Sequence, residues 1–172
     1  GQIGLIQEIL GYFLVPITLA QKCFVIQGAA GSGKSVLLLV VNEILLSPEL
    51  VSNVSLQALN ERFKTAELYG KLANIFADLP SQKIEDTGIF KALVGGDYLT
   101  VEKKNQPPFS FKSKARLLFS CNDLPMNIGD LSDGFYRRLI IIHFAHPISE
   151  EKHDPNFLEK LRRSRRDFPV CL

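Results

Sequence analysis

Residues 22–46 read KCFVIQGAAGSGKSVLLLVVNEILL, and this stretch decides the fold. Residues 22–27 are a compact apolar run rich in β-formers. A glycine-rich turn follows over residues 28–33, then an apolar helical segment over residues 34–46 that Ser47-Pro48 stops. The centre, Gly28-Ala29-Ala30-Gly31-Ser32-Gly33-Lys34-Ser35, matches G-x-x-x-x-G-K-[ST]. The order has a chemical reason. Glycines let the backbone curl until successive N–H groups face one phosphate. The helix behind them adds the positive end of its dipole. Lys34 can reach the β- and γ-phosphates of ATP, and the Ser35 hydroxyl can ligate Mg²⁺. Chance gives such a match in about one chain in a hundred of this length. The strand before it and the helix after it make a phosphate-binding loop the expectation.

Working outward, residues 3–14 read as a short amphipathic helix ended by Pro16. Residues 51–54 suit a short strand, and Ser55 suits the N-cap of a helix running to about Phe63. Residues 71–78 (KLANIFAD) are a second buried-type strand, and residues 87–94 are a helix stopped by Gly95-Gly96. Residues 98–102 and 109–111 flank the polar tip KKNQPP as a β-hairpin. Residues 116–121 (RLLFSC) and 139–144 (LIIIHF) complete the core strands, and residues 159–172 are basic and then irregular. Strands alternating with helices at this spacing predict an α/β sandwich with a largely parallel sheet.

Several side chains fall where phosphoryl chemistry needs them. Asp78 closes a strand and is the natural acid to share Mg²⁺; Leu79 and Pro80 follow where a second acid often stands, with Glu85 and Asp86 a little further on. Asn122 ends a strand, where a neutral amide can hold an attacking water, though an Asx turn before Asp-Leu-Pro suits it equally. Arg137 and Arg138 precede an apolar strand, as a solvated rim or as an arginine finger reaching a neighbouring subunit. Lys103 and Lys104 occupy the hairpin tip, where they either solubilise a turn or meet backbone phosphates. His143 and His146 fall on opposite faces of a strand without a matching ligand set, which disfavours a metal site. Arg162, Arg163, Arg165 and Arg166 read as a solvated charge run.

Composition bounds the rest. The chain has 172 residues, 46% of them hydrophobic and 22% charged, which is enough for one globular core. Twenty Lys plus Arg against 18 Asp plus Glu leave a net charge of +2, so any nucleic-acid contact must be local. Cys23, Cys121 and Cys171 are sparse and odd in number, which argues against a disulfide framework and fits a reducing cytoplasm. The longest apolar run, residues 36–41, is too short to span a bilayer, so no membrane partner is expected. The chain begins at Gly1, as a processed or excised fragment would.

In order, the chain carries GAAGSGKS, NVSLQALNERF, KLANIFADL, DTGIFKALVGGDYLTVEKKNQPPFSFKSKARLLFSCNDLP and DGFYRRLIIIHF. This series resembles the superfamily 3 helicase domain of phage, plasmid and poxvirus primase-helicases, from about Leu5 to about Leu161. The resemblance implies a modified AAA+ core, a three-layer P-loop NTPase with an inserted β-hairpin. It divides the chain into an N-terminal helical segment (1–20), the ATPase core (21–150) and a basic C-terminal tail (151–172). It implies an ATP-driven helicase that forms a homo-hexameric ring, moves along single-stranded DNA and serves replication initiation in a bacterial host cytoplasm. By position, Lys34 and Ser35 match the phosphate-gripping lysine and the Mg²⁺ ligand. Asp78 matches the Mg²⁺-sharing acid, Asn122 the sensor asparagine, and Arg137–Arg138 the arginine-finger region. Residues 90–111 match the DNA-contacting hairpin, with Lys103 and Lys104 at its tip. The chain departs from the family by lacking a primase half, and RRSRRDFPVCL stands after Leu161 where further helices are usual. The competing functions are a P-loop kinase for a small metabolite and an ATP-binding remnant without turnover.

Overall fold

The structure, a computed structural model, describes residues 1–80, 84, 86–124, 133–149, 151 and 154–167. Its centre is a five-stranded parallel sheet built from β1 (Cys23–Gly28), β2 (Val51–Ser52), β3 (Ala73–Phe76), β6 (Arg116–Cys121) and β7 (Leu139–Phe144), in the order β2-β3-β6-β1-β7. A separate antiparallel pair, β4 (Tyr98–Val101) and β5 (Phe109–Lys112), forms the expected hairpin. Because side chains alternate across a strand, each central strand feeds two cores. Phe24, Ile26 and Leu118 face one side with Ile9 and Phe13 of helix α1 (Gln2–Phe13) and Leu38 of helix α2 (Lys34–Leu39). Val25, Leu117 and Phe119 face the other, with Phe90 and Leu93 of helix α3 (Gly88–Gly95) and with Leu99 and Phe111 of the hairpin. The result is three layers, as expected.

Three elements differ from expectation. The helix after the glycine loop is α-helical only through Leu39; Val40–Leu45 winds as a π-helix, and Leu46 N–H donates to Val41 O at 3.0 Å. That wider turn seats both Val41 and Leu46 in the core. The segment after Ser55 is a run of 3₁₀ turns, Gln57–Asn60 and Thr65–Leu68, rather than one helix. Ser55 does cap its start, accepting from Ala58 N–H at 3.1 Å, but Phe63 takes a left-handed φ of 71° and breaks the helical path. Beyond the short helix α4 (Asp133–Tyr136), the basic C-terminal segment is helical over Phe157–Asp167 (α5), tied down by Arg162–Glu43 and Glu159–Arg163 ion pairs, both at 2.5 Å. Residues 168–172 lie outside the described residues, Cys171 among them.

Strand order places the chemistry. β1 and β6 are neighbours, and β3 lies beside β6, all running the same way. Their carboxyl ends therefore share one rim of the sheet, where ligands of open α/β sheets bind. Gly28 must be glycine for a packing reason: a Cβ there would meet Phe144 O at 2.3 Å. The loop thus leaves β1 pressed against the backbone of β7.

Candidate functional site

The loop between β1 and α2 carries two left-handed glycines, Gly31 (φ 72°) and Gly33 (φ 89°), which turn the chain from strand into helix. Ala29, Ala30, Gly31 and Ser35 are exposed on it, while Ser32 and Lys34 are buried. Ser32 Oγ donates to Ala29 O at 2.8 Å and braces the turn. Helix α2 has no side-chain cap, so the first N–H groups after Gly33 lack an intrahelical acceptor.

Lys34 Nζ lies across the loop mouth. It donates to Gly28 O at 2.6 Å, Ala29 O at 2.9 Å and Asn122 Oδ1 at 2.9 Å. All three acceptors are neutral, and the ammonium has no ion pair with a described residue. A buried cation without a counter-charge favours an anion nearby.

The same rim collects the acid. Ser120, two residues before Asn122, holds the turn after β3: its Oγ accepts from Asp78 N–H at 3.3 Å and its carbonyl from Leu79 N–H at 2.8 Å. Asp78 sits there with φ 51°, an uncommon conformation for a non-glycine residue, and its carboxylate is exposed. Burial pushes the Cys121 thiol up to about 11; Lys34 opposes the shift, and Asp123 and Asp78 add to it. Asp86 is spent locally, accepting from Gly88 N–H at 2.7 Å, and Glu85 lies outside the described residues.

Two cavities flank the loop. One, of about 580 Å³, is lined by Gly28, Ala29, Asn122, Asp123 and His143. The other, of about 480 Å³, is apolar, with Val36, Leu37, Phe144, Ile148 and Phe157 in its wall. Sequence reasoning missed this second wall. Its residues come from the segment after β7 and from α5, joined to the loop by Ile148 N–H donating to Gly31 O at 3.0 Å. Nothing in the residues 145–161 spells that contact out; it exists because β7 ends beside the glycine loop.

The arginines stand apart from this rim. Arg137 and Arg138 precede β7, whose first residue pairs with Cys23 at the start of β1. Six residues of strand, about 20 Å, separate them from the loop of their own chain. They also differ from each other. Arg138 is half-buried, with Nη1 donating to Gly134 O, whereas Arg137 is exposed.

Lys103 and Lys104 are exposed in the connection between β4 and β5. Beside the tip, Arg62 pairs with Glu102, which raises the arginine's pKa and lowers the carboxylate's, each through that hydrogen bond first. Lys103 Nζ lies 5.4 Å from the Tyr69 ring centroid and 5.8 Å from that of Phe109. His143 and His146 are both exposed, and no group of three or more metal-ligating side chains forms among the described residues. Nor is any described helix long and apolar enough to cross a membrane.

A parallel sheet with a glycine loop leaving β1, an asparagine at the end of the central strand β6 beside it and a separate antiparallel hairpin defines a three-layer α/β fold of the P-loop NTPase class. The chain belongs to the family described as "Family of unknown function (DUF5906)", whose model matches residues 26–138. It is 29% identical over 132 residues to a protein of Acanthamoeba polyphaga mimivirus named "Putative helicase L207/L206", covering 72% of this chain and 13% of that protein. Among solved structures it is similar to the NrS-1 C-terminal region, with a TM-score of 0.67, 19% identity, and 86% of this chain and 35% of that one covered. It is likewise similar to the JCV helicase, with a TM-score of 0.60, 18% identity, and 92% and 46% covered. The chain therefore spans a small part of the mimivirus protein and less than half of each structure, and the shared property is a helicase-like fold.

Proposed function

We propose that this chain is an ATP-hydrolysing helicase motor that moves along single-stranded DNA, of the kind joined to a primase in phage or plasmid replication initiators and working in the cytoplasm of a bacterial host. One observation carries the reading: the lysine of the glycine loop and the strand-end asparagine meet, Lys34 Nζ to Asn122 Oδ1 at 2.9 Å. The loop amides from Gly28 to Ser35 and the Lys34 ammonium grip the triphosphate. The apolar cavity beside Val36 and Phe157 takes the base.

The Mg²⁺ donors would be the Ser35 hydroxyl and the Asp78 carboxylate. Both are exposed oxygen ligands, and one carboxylate plus substrate phosphates is a set that suits this ion. Bound there, it supplies positive charge to the phosphate oxygens. Asn122 orients the water that attacks the γ-phosphorus, and the bond to the bridging oxygen breaks to give ADP and phosphate. Charge developing on that oxygen is met by Lys34 and by an arginine of the adjoining subunit in a homo-hexamer. Arg137 fits that part because it is exposed and sits on the opposite rim from its own loop. Lys103 and Lys104 reach the DNA backbone.

The test is the ATPase rate against protein concentration, with and without single-stranded DNA. The expected rate per subunit rises with concentration and rises again with DNA, and Lys34→Ala removes it by about a thousandfold or more. A rate indifferent to DNA, with phosphoryl transfer to a small molecule instead, sinks the motor reading.

A further inference from the structure

Tyr69 takes no part in the nucleotide site, yet its placement is specific. It follows the turn Thr65–Leu68, and 54% of its surface is open to solvent. Its ring is held in place even so. Phe109 and Phe111 of β5 meet it nearly at right angles, with centroids at 5.0 and 5.6 Å. The Lys103 ammonium stands 5.4 Å from the same ring and has no ion pair with a described residue. A tyrosine that only braced the hairpin would gain by burial; this one is fixed at its edge and left accessible.

We propose that Tyr69, backed by Phe109, is a stacking platform for a base of single-stranded DNA, with Lys103 as its exchange partner. This rests on the single-stranded DNA reading above. A ring already fixed by two neighbours loses little freedom when a base stacks on it. Every base has a π-face, so the contact is blind to sequence, as a moving motor requires. Lys103 rests against the ring because an exposed ammonium gains modestly from an aromatic face. An arriving base takes that position, and the ammonium passes to the adjacent phosphate, which attracts it more strongly. The lysine thereby guards the platform and then clamps the strand, coupling a base contact to a phosphate contact.

The experiment compares the full chain's binding to fluorescein-labelled oligo-dT and to an abasic oligomer of equal length, by anisotropy. Tyr69→Leu keeps apolar packing against the hairpin but removes the π-face. Its expected loss is about tenfold on oligo-dT, with the abasic oligomer unaffected. Tyr69→Phe should bind both as the original chain does. Since the chain has no Trp and 4 Tyr, tyrosine emission gives a second readout. Oligo-dT should quench it more than the abasic strand does, and Tyr69→Phe should remove that difference. Equal effects of Tyr69→Leu on the two oligomers, or none on either, overturn the platform while the DNA reading stands. No binding of either oligomer by the unsubstituted chain overturns both.

Discussion

Cys121 lies between Ser120, which holds the Asp78 turn, and Asn122, which receives the Lys34 ammonium. Its thiol titrates at about 11 in the folded chain, against 9.0 for an ordinary cysteine, chiefly through burial. The folded state therefore keeps a proton that the unfolded chain releases. The associated stability is complete below pH 9.0 and is lost as pH rises toward about 11. The expected result is that Tm falls less steeply over that interval in Cys121→Ala than in the unsubstituted chain, with Cys23 present in both. Parallel slopes would remove Cys121 from the account. At this scale the sequence was informative where a motif fixes geometry: Lys34 and Ser35 follow from the glycine spacing alone. It left Asn122 open between a water-holding amide and an Asx turn, because both place an amide at a strand end. The structure spends the amide oxygen on Lys34, a partner 88 positions away, and no local pattern could signal that.

Elements follow the same division between local and distant causes. The core strands were legible because they are short apolar runs bounded by turn residues, and the hairpin because KKNQPP interrupts alternating residues. The helix after Ser55 gives way where Phe63 turns left-handed, and the 3₁₀ turn before it is anchored outward, Asn60 Nδ2 to Asp86 O at 2.6 Å and Gln57 Nε2 to Pro80 O at 2.9 Å. Helix α5 lies in the stretch that the sequence marks only as basic, because its side chains are polar nearly all round and give no apolar periodicity. Ion pairs to Glu43 and within the helix hold it, and only the first partner is remote. One buried amide stitches the sheet edge. Asn74, fully buried, accepts from Ser52 Oγ and Val54 N–H, both at 2.9 Å, and donates to Val54 O at 2.8 Å. Asn74→Leu leaves a buried N–H and C=O without partners, a cost of about 3 kcal/mol and a Tm drop of roughly 10 °C. Ser52→Ala should cost about 1 kcal/mol, since Asn74 keeps both bonds to Val54. Thermal melts giving equal losses would contradict this division.

For the whole molecule, the decisive geometry is that the loop and the arginines occupy opposite ends of β1 and β7. One subunit cannot bring Arg137 to its own loop, because about 20 Å of paired strand lies between. A head-to-tail contact can, since it sets one rim of a subunit against the other rim of the next, and such contacts close into a ring where the rotation between subunits closes. The composite site can be tested by mixing inactive chains. Lys34→Ala and Arg137→Ala should each lose ATPase activity by a thousandfold or more, the second while still binding ATP. Mixed in equal amounts, they should recover activity. An interface works when an intact loop faces an intact arginine, which random mixing supplies at about a quarter of positions. Arg138→Ala should behave differently, because Arg138 bonds the Gly134 carbonyl within its own chain. Its expected defect is a lowered Tm, with no rescue on mixing. If the two dead variants remain dead together at concentrations where the unsubstituted chain is active, Arg137 does not act across an interface. A ring of the proposed kind would then need another residue to complete its site.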